Sequence, residues 1–219
     1  MMNSASTYLL RDFLPGNQAE IERINLMYYH PTVMKSKGYF KRGLKPVTKE
    51  DLLEEDRSMF KVPNRVTESH EDVSYAVADL KNNLIGWIWF YQDARHPLPI
   101  RVVKELGLQG NYRTYQVSYE KLMSEDWPDY ILKKVVHTDH RELHRPRKGV
   151  IVEGLRLALS RVSREFKKIH PPEIKLAVYG YVLPSNVASA KVLEKNGFAK
   201  VQKQYSYSKV LHDLWVKII

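Results

Sequence analysis

Pro184-Ser185-Asn186-Val187-Ala188-Ser189-Ala190-Lys191-Val192-Leu193-Glu194-Lys195-Asn196-Gly197-Phe198 is the stretch that decides how this chain folds. It reads as a strand end, a turn at Asn186, a short helix over 188–195 and a stop at Asn196-Gly197. Glycine just past the last apolar residue closes a helix because it enters the left-handed conformation without a Cβ penalty. Working outward, 174–182 is a strong strand candidate on one side. On the other, 199–207 and 212–219 form a terminal hairpin.

Upstream, 149–168 is an amphipathic helix. Val152, Leu155, Leu159, Val162 and Phe166 recur at three- and four-residue steps, and Pro171-Pro172 ends the run. Strands at 73–80 and 84–91 flank Asn82-Asn83, a compact hairpin signal. Residues 7–11 read as a first strand. Residues 17–29 read as a helix with Ile21, Ile24 and Tyr28 on one face. A polar, helix-rich region follows over 31–63, with Thr48 suited to cap a helix before Glu50 and Asp51. Between 93 and 129, Pro97, Pro99, Gly107 and Gly110 interrupt any pattern. One strand candidate, 114–119, lies inside this segment, which reads as an insertion in a sheet connection. Residues 130–137 then read as the strand entering the next loop. This alternation of strands and helices argues for a mixed α/β sheet covered by helices, in a single domain over 1–219.

The loop is Arg145-Pro146-Arg147-Lys148-Gly149-Val150-Ile151-Val152-Glu153-Gly154-Leu155. A helix start offers backbone N–H groups and about half a positive charge, so phosphates bind there, aided by nearby Arg and Lys. Taken with Asn186, Ser189, Leu193-Glu194-Lys195 and Gly197-Phe198, the chain resembles the GNAT superfamily of acetyl-CoA-dependent N-acetyltransferases. The resemblance is closest to the branch that acetylates protein N-termini, including N-terminal alanine and ribosomal proteins. It covers 130–219 well and 75–91 loosely.

That resemblance implies a GNAT-like fold: a mixed, mostly antiparallel sheet of six or seven strands flanked by helices. It implies direct transfer of an acetyl group from acetyl-CoA to a primary amine, either a protein N-terminus or a small molecule, in a ternary complex. Arg145, Arg147, Lys148, Gly149, Val150 and Ile151 are the residues implied to bind coenzyme A phosphates, with Asn186 and Ser189 beside them. Val136 and His137 are the implied main-chain donor region for the oxyanion. The family motif R/Q-x-x-G-x-G/A, aligned on Gly149, meets Pro146 and Ile151 at its first and last places. Leu193 stands where many GNAT enzymes carry a tyrosine that protonates the leaving thiolate.

The attacking amine must be neutral, so a base is useful. Glu120 and His137 are the candidate catalytic residues, with Asp139 a further possibility. Glu120 is notable because strands rarely carry a lone glutamate without a partner or an exposed face. Trp87, Trp89, Tyr112, Tyr115, Tyr119, Trp127 and Tyr130 could line an acceptor pocket or simply pack the sheet. His137, Asp139, His140 and His144 match neither a helical i, i+4 pair nor a zinc loop, so no metal is expected.

The 219 residues carry a formal charge of +10 and contain no cysteine, which excludes disulfides, thiolate metal sites and a cysteine nucleophile. No apolar run approaches the ~18 residues of a membrane span, and residues 1–14 lack a signal-peptide pattern. A cytoplasmic monomer or homodimer without membrane contact is expected. Two alternatives stay open. One is a non-catalytic module that keeps the fold. The other is a basic ribosome- or RNA-associated protein, ranked lowest because the aromatic-plus-basic motifs of RNA modules are absent.

Overall fold

The period of the apolar residues sets the elements. The structure is a computed structural model. It describes residues 8–14, 17, 19–20, 23–24, 27, 72–92, 97–108, 110–121, 149–207 and 210–219. Seven strands are β1 (Leu9–Arg11), β2 (Val73–Ala78), β3 (Leu84–Tyr91), β4 (Tyr112–Lys121), β5 (Lys175–Val182), β6 (Ala199–Tyr207) and β7 (Val210–Ile218). Helices whose bounds lie among the described residues are α1 (Ile100–Glu105), α2 (Val150–Ile169) and α3 (Val187–Lys195); residues 19–20, 23–24 and 27 are helical as well. The strands form one sheet in the order β1-β2-β3-β4-β5-β7-β6. It is a mixed sheet flanked by helices, as the sequence suggested. Among the described residues no helix is long and apolar enough to cross a membrane.

The chain groups into two units. The first comprises residues 1–64, 74–88 and 119–154. Within it β1 runs antiparallel to β2, with Leu9 opposite Ala78 and Arg11 opposite Ala76. The β2–β3 turn is organised by Asp79, whose carboxylate accepts from the N–H groups of Lys81 (2.9 Å) and Asn83 (2.8 Å). Asn82 there adopts a φ of 66°, which asparagine tolerates better than most residues. The Arg11 guanidinium pairs with the buried carboxylate of Glu20 and also donates to Asn82 Oδ1 at 2.6 Å. Glu20 accepts a second bond from Leu14 N at 2.9 Å. These bonds tie the first strand, residue 20 and the hairpin turn together. Ile24 and Met27, on the same side of the early helix, are fully buried.

The second unit comprises residues 65–73, 89–118 and 155–219. Here β4 and β5 are parallel, and β7 lies antiparallel between β5 and β6. Leu98 and Val102 of the α1 region, Ala177 and Tyr179 of β5, and Leu214 and Val216 of β7 share one core cluster. The opposite face of β5 carries Gly180, above which Leu193 of α3 packs. Leu155, Leu159, Val162 and Phe166 of the predicted α2 stripe are buried together with Ala158, while Val152 is only half-buried.

Helix α1 was not foreseen. Pro97 and Pro99 read as breakers, yet Pro99 occupies the N-cap of α1, where a missing N–H costs nothing. Gly107, at φ 62°, follows its last turn, and Leu108 N bonds back to Val103 O at 3.0 Å. Residues 112–121, placed by the sequence within an insertion, stand fourth in the sheet between β3 and β5. The expected segments 31–63 and 130–137 lie outside the described residues.

Candidate functional site

The parallel pair β4–β5 is registered from Tyr112↔Lys175 to Gln116↔Tyr179 and stops there. Yet β4 continues to Lys121 and β5 to Val182. On its other edge β5 keeps its ladder with β7 through Val182↔Asp213. Leu176 and Ile219 exchange both main-chain bonds (3.4 and 2.8 Å), so residues 176, 178, 180 and 182 bond towards β7. The alternate residues 177, 179 and 181 therefore present their N–H and C=O groups towards β4. No pair of the two strands is registered past Gln116↔Tyr179, although Gly180 still lies against Val117, and the main chain of Tyr181 is turned to the β4 side.

The glycine on this stretch lets Leu193 and Val117 pack close to β5. A Cβ on Gly180 would meet Leu193 Cδ1 at 3.5 Å and Val117 Cγ1 at 3.6 Å. Leu193 is buried, and its alkyl side chain can supply no proton to a leaving group. On the other face Tyr181 stacks on Tyr205, with centroids 5.3 Å apart and planes 14° apart. His212 lies edge-on to Tyr181 at 6.5 Å and holds Val210 O through Nδ1 at 2.9 Å. Burial lowers the pKa of His212, and the Val210 carbonyl opposes that shift.

Asn186 and Ser189 act on each other. Asn186 is the N-cap of α3, and its Oδ1 accepts from Ser189 N at 3.1 Å. That bond satisfies one of the first-turn donors and fixes where the helix begins. At the far end Gly197 takes a φ of 76°, and Phe198 N bonds to Leu193 O at 3.1 Å. The stop read from Asn196-Gly197 is thus formed as expected.

In the first unit, Gly149 is exposed at φ 98°, and among the described residues nothing lies within 4 Å of the position a Cβ would take. Its carbonyl receives the first helical bond, from Glu153 N at 3.0 Å, so the amides of Val150 and Ile151 have no acceptor within the helix. Val150 and Ile151 are buried by their side chains. Ile151 Cδ1 lies 3.0 Å from where Gly86 would carry a Cβ, so the isoleucine fills the space that glycine leaves. The side chain absent from the family motif therefore points at the sheet.

Glu120, on β4, is only 4% exposed. The Trp87 indole N–H donates to its Oε2 over 3.4 Å, a long bond. Burying a carboxylate is costly unless donors hold it, and Trp87 is one such donor. Val136, His137, Arg145, Arg147 and Lys148 lie outside the described residues, as does Asp139. Among the described residues no cluster of three or more His, Asp or Glu side chains could hold a metal ion. Sequence reasoning missed Gly86, Gly154 and Gly180, because only packing reveals where a missing methyl matters.

No protein-family profile matches the chain, and no curated protein does. Solved structures do match over nearly their full length. A GNAT-family acetyltransferase from Bacillus anthracis is 16% identical with a TM-score of 0.56, covering 98% of this chain and 95% of its own. The spermidine N-acetyltransferase of Vibrio cholerae, in complex with CoA and spermine, is 16% identical with a TM-score of 0.52, covering 98% and 96%. The aminoglycoside acetyltransferase AAC(6')-Ib, in complex with coenzyme A, is 15% identical with a TM-score of 0.55, covering 96% and 94%. With its strand order and the parallel pair whose ladder ends midway, the chain has the fold of the GNAT acetyltransferases.

Proposed function

We propose that this chain is an N-acetyltransferase that moves an acetyl group from acetyl-CoA to a primary amine. The observation that carries the reading is the β4–β5 ladder that ends at Gln116↔Tyr179 while both strands run on. Extended edges of that kind suit a linear, amide-bearing chain such as pantetheine. The neighbours in complex with CoA support the same cofactor.

The residues present fit that cofactor. The glycine at position 149 and the amides of Val150 and Ile151 at the helix start suit a pyrophosphate. Arg145, Arg147 and Lys148 would add charge-assisted contacts. Within the second unit, Asn186 Oδ1 holds the main-chain N–H of Ser189 at the α3 start. When bound, acetyl-CoA supplies a thioester carbonyl open to attack. In the overall transfer a nitrogen–carbon bond forms and the carbon–sulfur bond breaks. One proton leaves the amine and one is taken up by the departing thiol. Glu120 is our candidate to accept the amine's proton, directly or through a water, with Trp87 orienting its carboxylate. His137 and the Val136 amide remain candidates for the base and the carbonyl donor.

The acceptor could be a peptide N-terminus or a small-molecule amine. A thiol-release assay with acetyl-CoA against polyamines, aminoglycosides and short peptides with free N-termini separates the two. Turnover with any primary amine is expected. Absence of both turnover and acetyl-CoA binding in titration calorimetry would end the enzymatic reading.

A further inference from the structure

We propose that Gln116 receives the acceptor: its Oε1 takes a hydrogen bond from the N–H of the incoming amine. This rests on the acetyltransferase reading and names a specificity residue within it. Gln116 is 5% exposed. Its Nε2 donates to Tyr91 Oη at 2.6 Å. Its Oε1 is buried and has no hydrogen-bond partner among the described residues. Buried polar atoms are nearly always bonded, and leaving an acceptor without a donor is costly, so this oxygen is matched to something that arrives.

Its position says what arrives. Gln116 is the last registered residue of β4 in its ladder with β5. Neighbouring residues of a parallel pair point to the same face, so Gln116 and Tyr179 stand side by side. Tyr91, packed on Trp89 with centroids 4.6 Å apart, holds the amide from the adjacent strand. The unpartnered oxygen thus lies on the aromatic face, out of the sheet plane where a pantetheine chain would run. A nucleophile must approach a thioester held between the strands from a face.

The chemistry also suits a neutral acceptor. An ammonium brings three N–H donors but must lose a proton before it attacks. A carboxylate contact favours the charged form, whereas an amide oxygen orients the nitrogen with less hold on its proton.

The test is steady-state kinetics on the full chain with the best amine from the acceptor screen, comparing wild type, Gln116→Leu and Gln116→Glu. Gln116→Leu is expected to raise the KM for the amine about tenfold or more, with the acetyl-CoA KM and the melting temperature unchanged. Gln116→Glu keeps an acceptor and should bring the amine KM back to within a few-fold of wild type. Should the leucine variant not fold, Gln116→Asn withdraws the oxygen by one methylene, and the same rise is expected. An unchanged amine KM overturns the proposal. So does a loss that falls on acetyl-CoA, which would make a pantetheine amide the donor. A glutamate variant as impaired as the leucine one also overturns it, because the outward atom would then be an N–H. A wild-type chain that acetylates no amine refutes the acetyltransferase reading itself, which keeps the two failures distinct.

Discussion

Replacing Gly154 by alanine puts a methyl group where the structure leaves no room. A Cβ at that position would lie 2.7 Å from Val77 Cγ2, 3.2 Å from Val77 Cγ1 and 3.4 Å from Ile88 Cδ1. Carbon atoms prefer about 3.5–4.0 Å, so the nearest contact is too short by roughly 0.8 Å. Val77 cannot step aside. It is fully buried in β2, and both its γ-methyls are already close, so turning χ1 exchanges one clash for another. The first turns of α2 must therefore lift from β2. Overpacking of this kind costs about 1–3 kcal/mol, while alanine gains about 1 kcal/mol over glycine in a helix. The net expectation is a loss of up to about 2 kcal/mol, or a fall in Tm of up to roughly 8 °C for a chain of this size.

Gly180→Ala is the internal control. Its Cβ would meet Leu193 and Val117 at 3.5 and 3.6 Å, ordinary contact distances. It should stay within about 0.5 kcal/mol of wild type, because alanine also restricts the unfolded chain. Thermal and urea melts followed by circular dichroism compare the two directly. A Gly154→Ala chain more stable than wild type, or a Gly180→Ala chain that falls further than the Gly154→Ala one, would refute the claim that missing methyl groups set how closely α2 approaches β2.

Glu120→Gln should lower kcat/KM by about 10²–10⁴-fold with an unchanged melt; an unaffected rate would remove Glu120 as the base. Arg11→Met strands the Glu20 carboxylate, whose side chain is 3% exposed, and should cost about 3–5 kcal/mol in a urea titration. A loss below 1 kcal/mol would show that the pair is not holding the first strand. Burial holds the His212 pKa below its usual 6.5, so the unfolded chain takes up the proton first as pH falls. Stability from this group is present above about pH 6.5 and is lost as pH falls below that value and through the lower folded-state pKa. His212→Gln should flatten that part of the stability–pH curve, and an unaltered slope would count against it.

Much of the fold was legible because several signals are local. Asn186 and Gly197 each act within four residues of themselves, and the α2 stripe repeats over about four turns. The hairpin at Asn82-Asn83 needs only its own residues and Asp79. Helix α1 failed for the opposite reason. Six residues are too short to show a period, and Pro99 and Gly107 serve equally as breakers and as helix ends. Strand β4 was read too short and in the wrong role, because its parallel partner β5 lies more than fifty residues away. Nothing local in 112–121 announces that pairing.

Ile151 shows why a departure from a motif cannot be priced from the motif alone. A β-branched residue at the helix start looks like an obstruction to a phosphate. In the structure it is 6% exposed, and its Cδ1 occupies the space over Gly86. Side chains leave a helix radially, while first-turn amides point along the axis towards its start. The two directions need not compete. A small residue at 151 would leave a void above Gly86, and a larger residue at 86 would meet both Ile151 and the Glu120 carbonyl, each at 3.0 Å. Gly86 and Ile151 are therefore a matched pair within the first unit. Their match leaves Gly149 exposed at the helix mouth, and it also fixes the main chain beside Glu120. The cofactor reading and the candidate base thus depend on one packing contact that neither motif nor composition records.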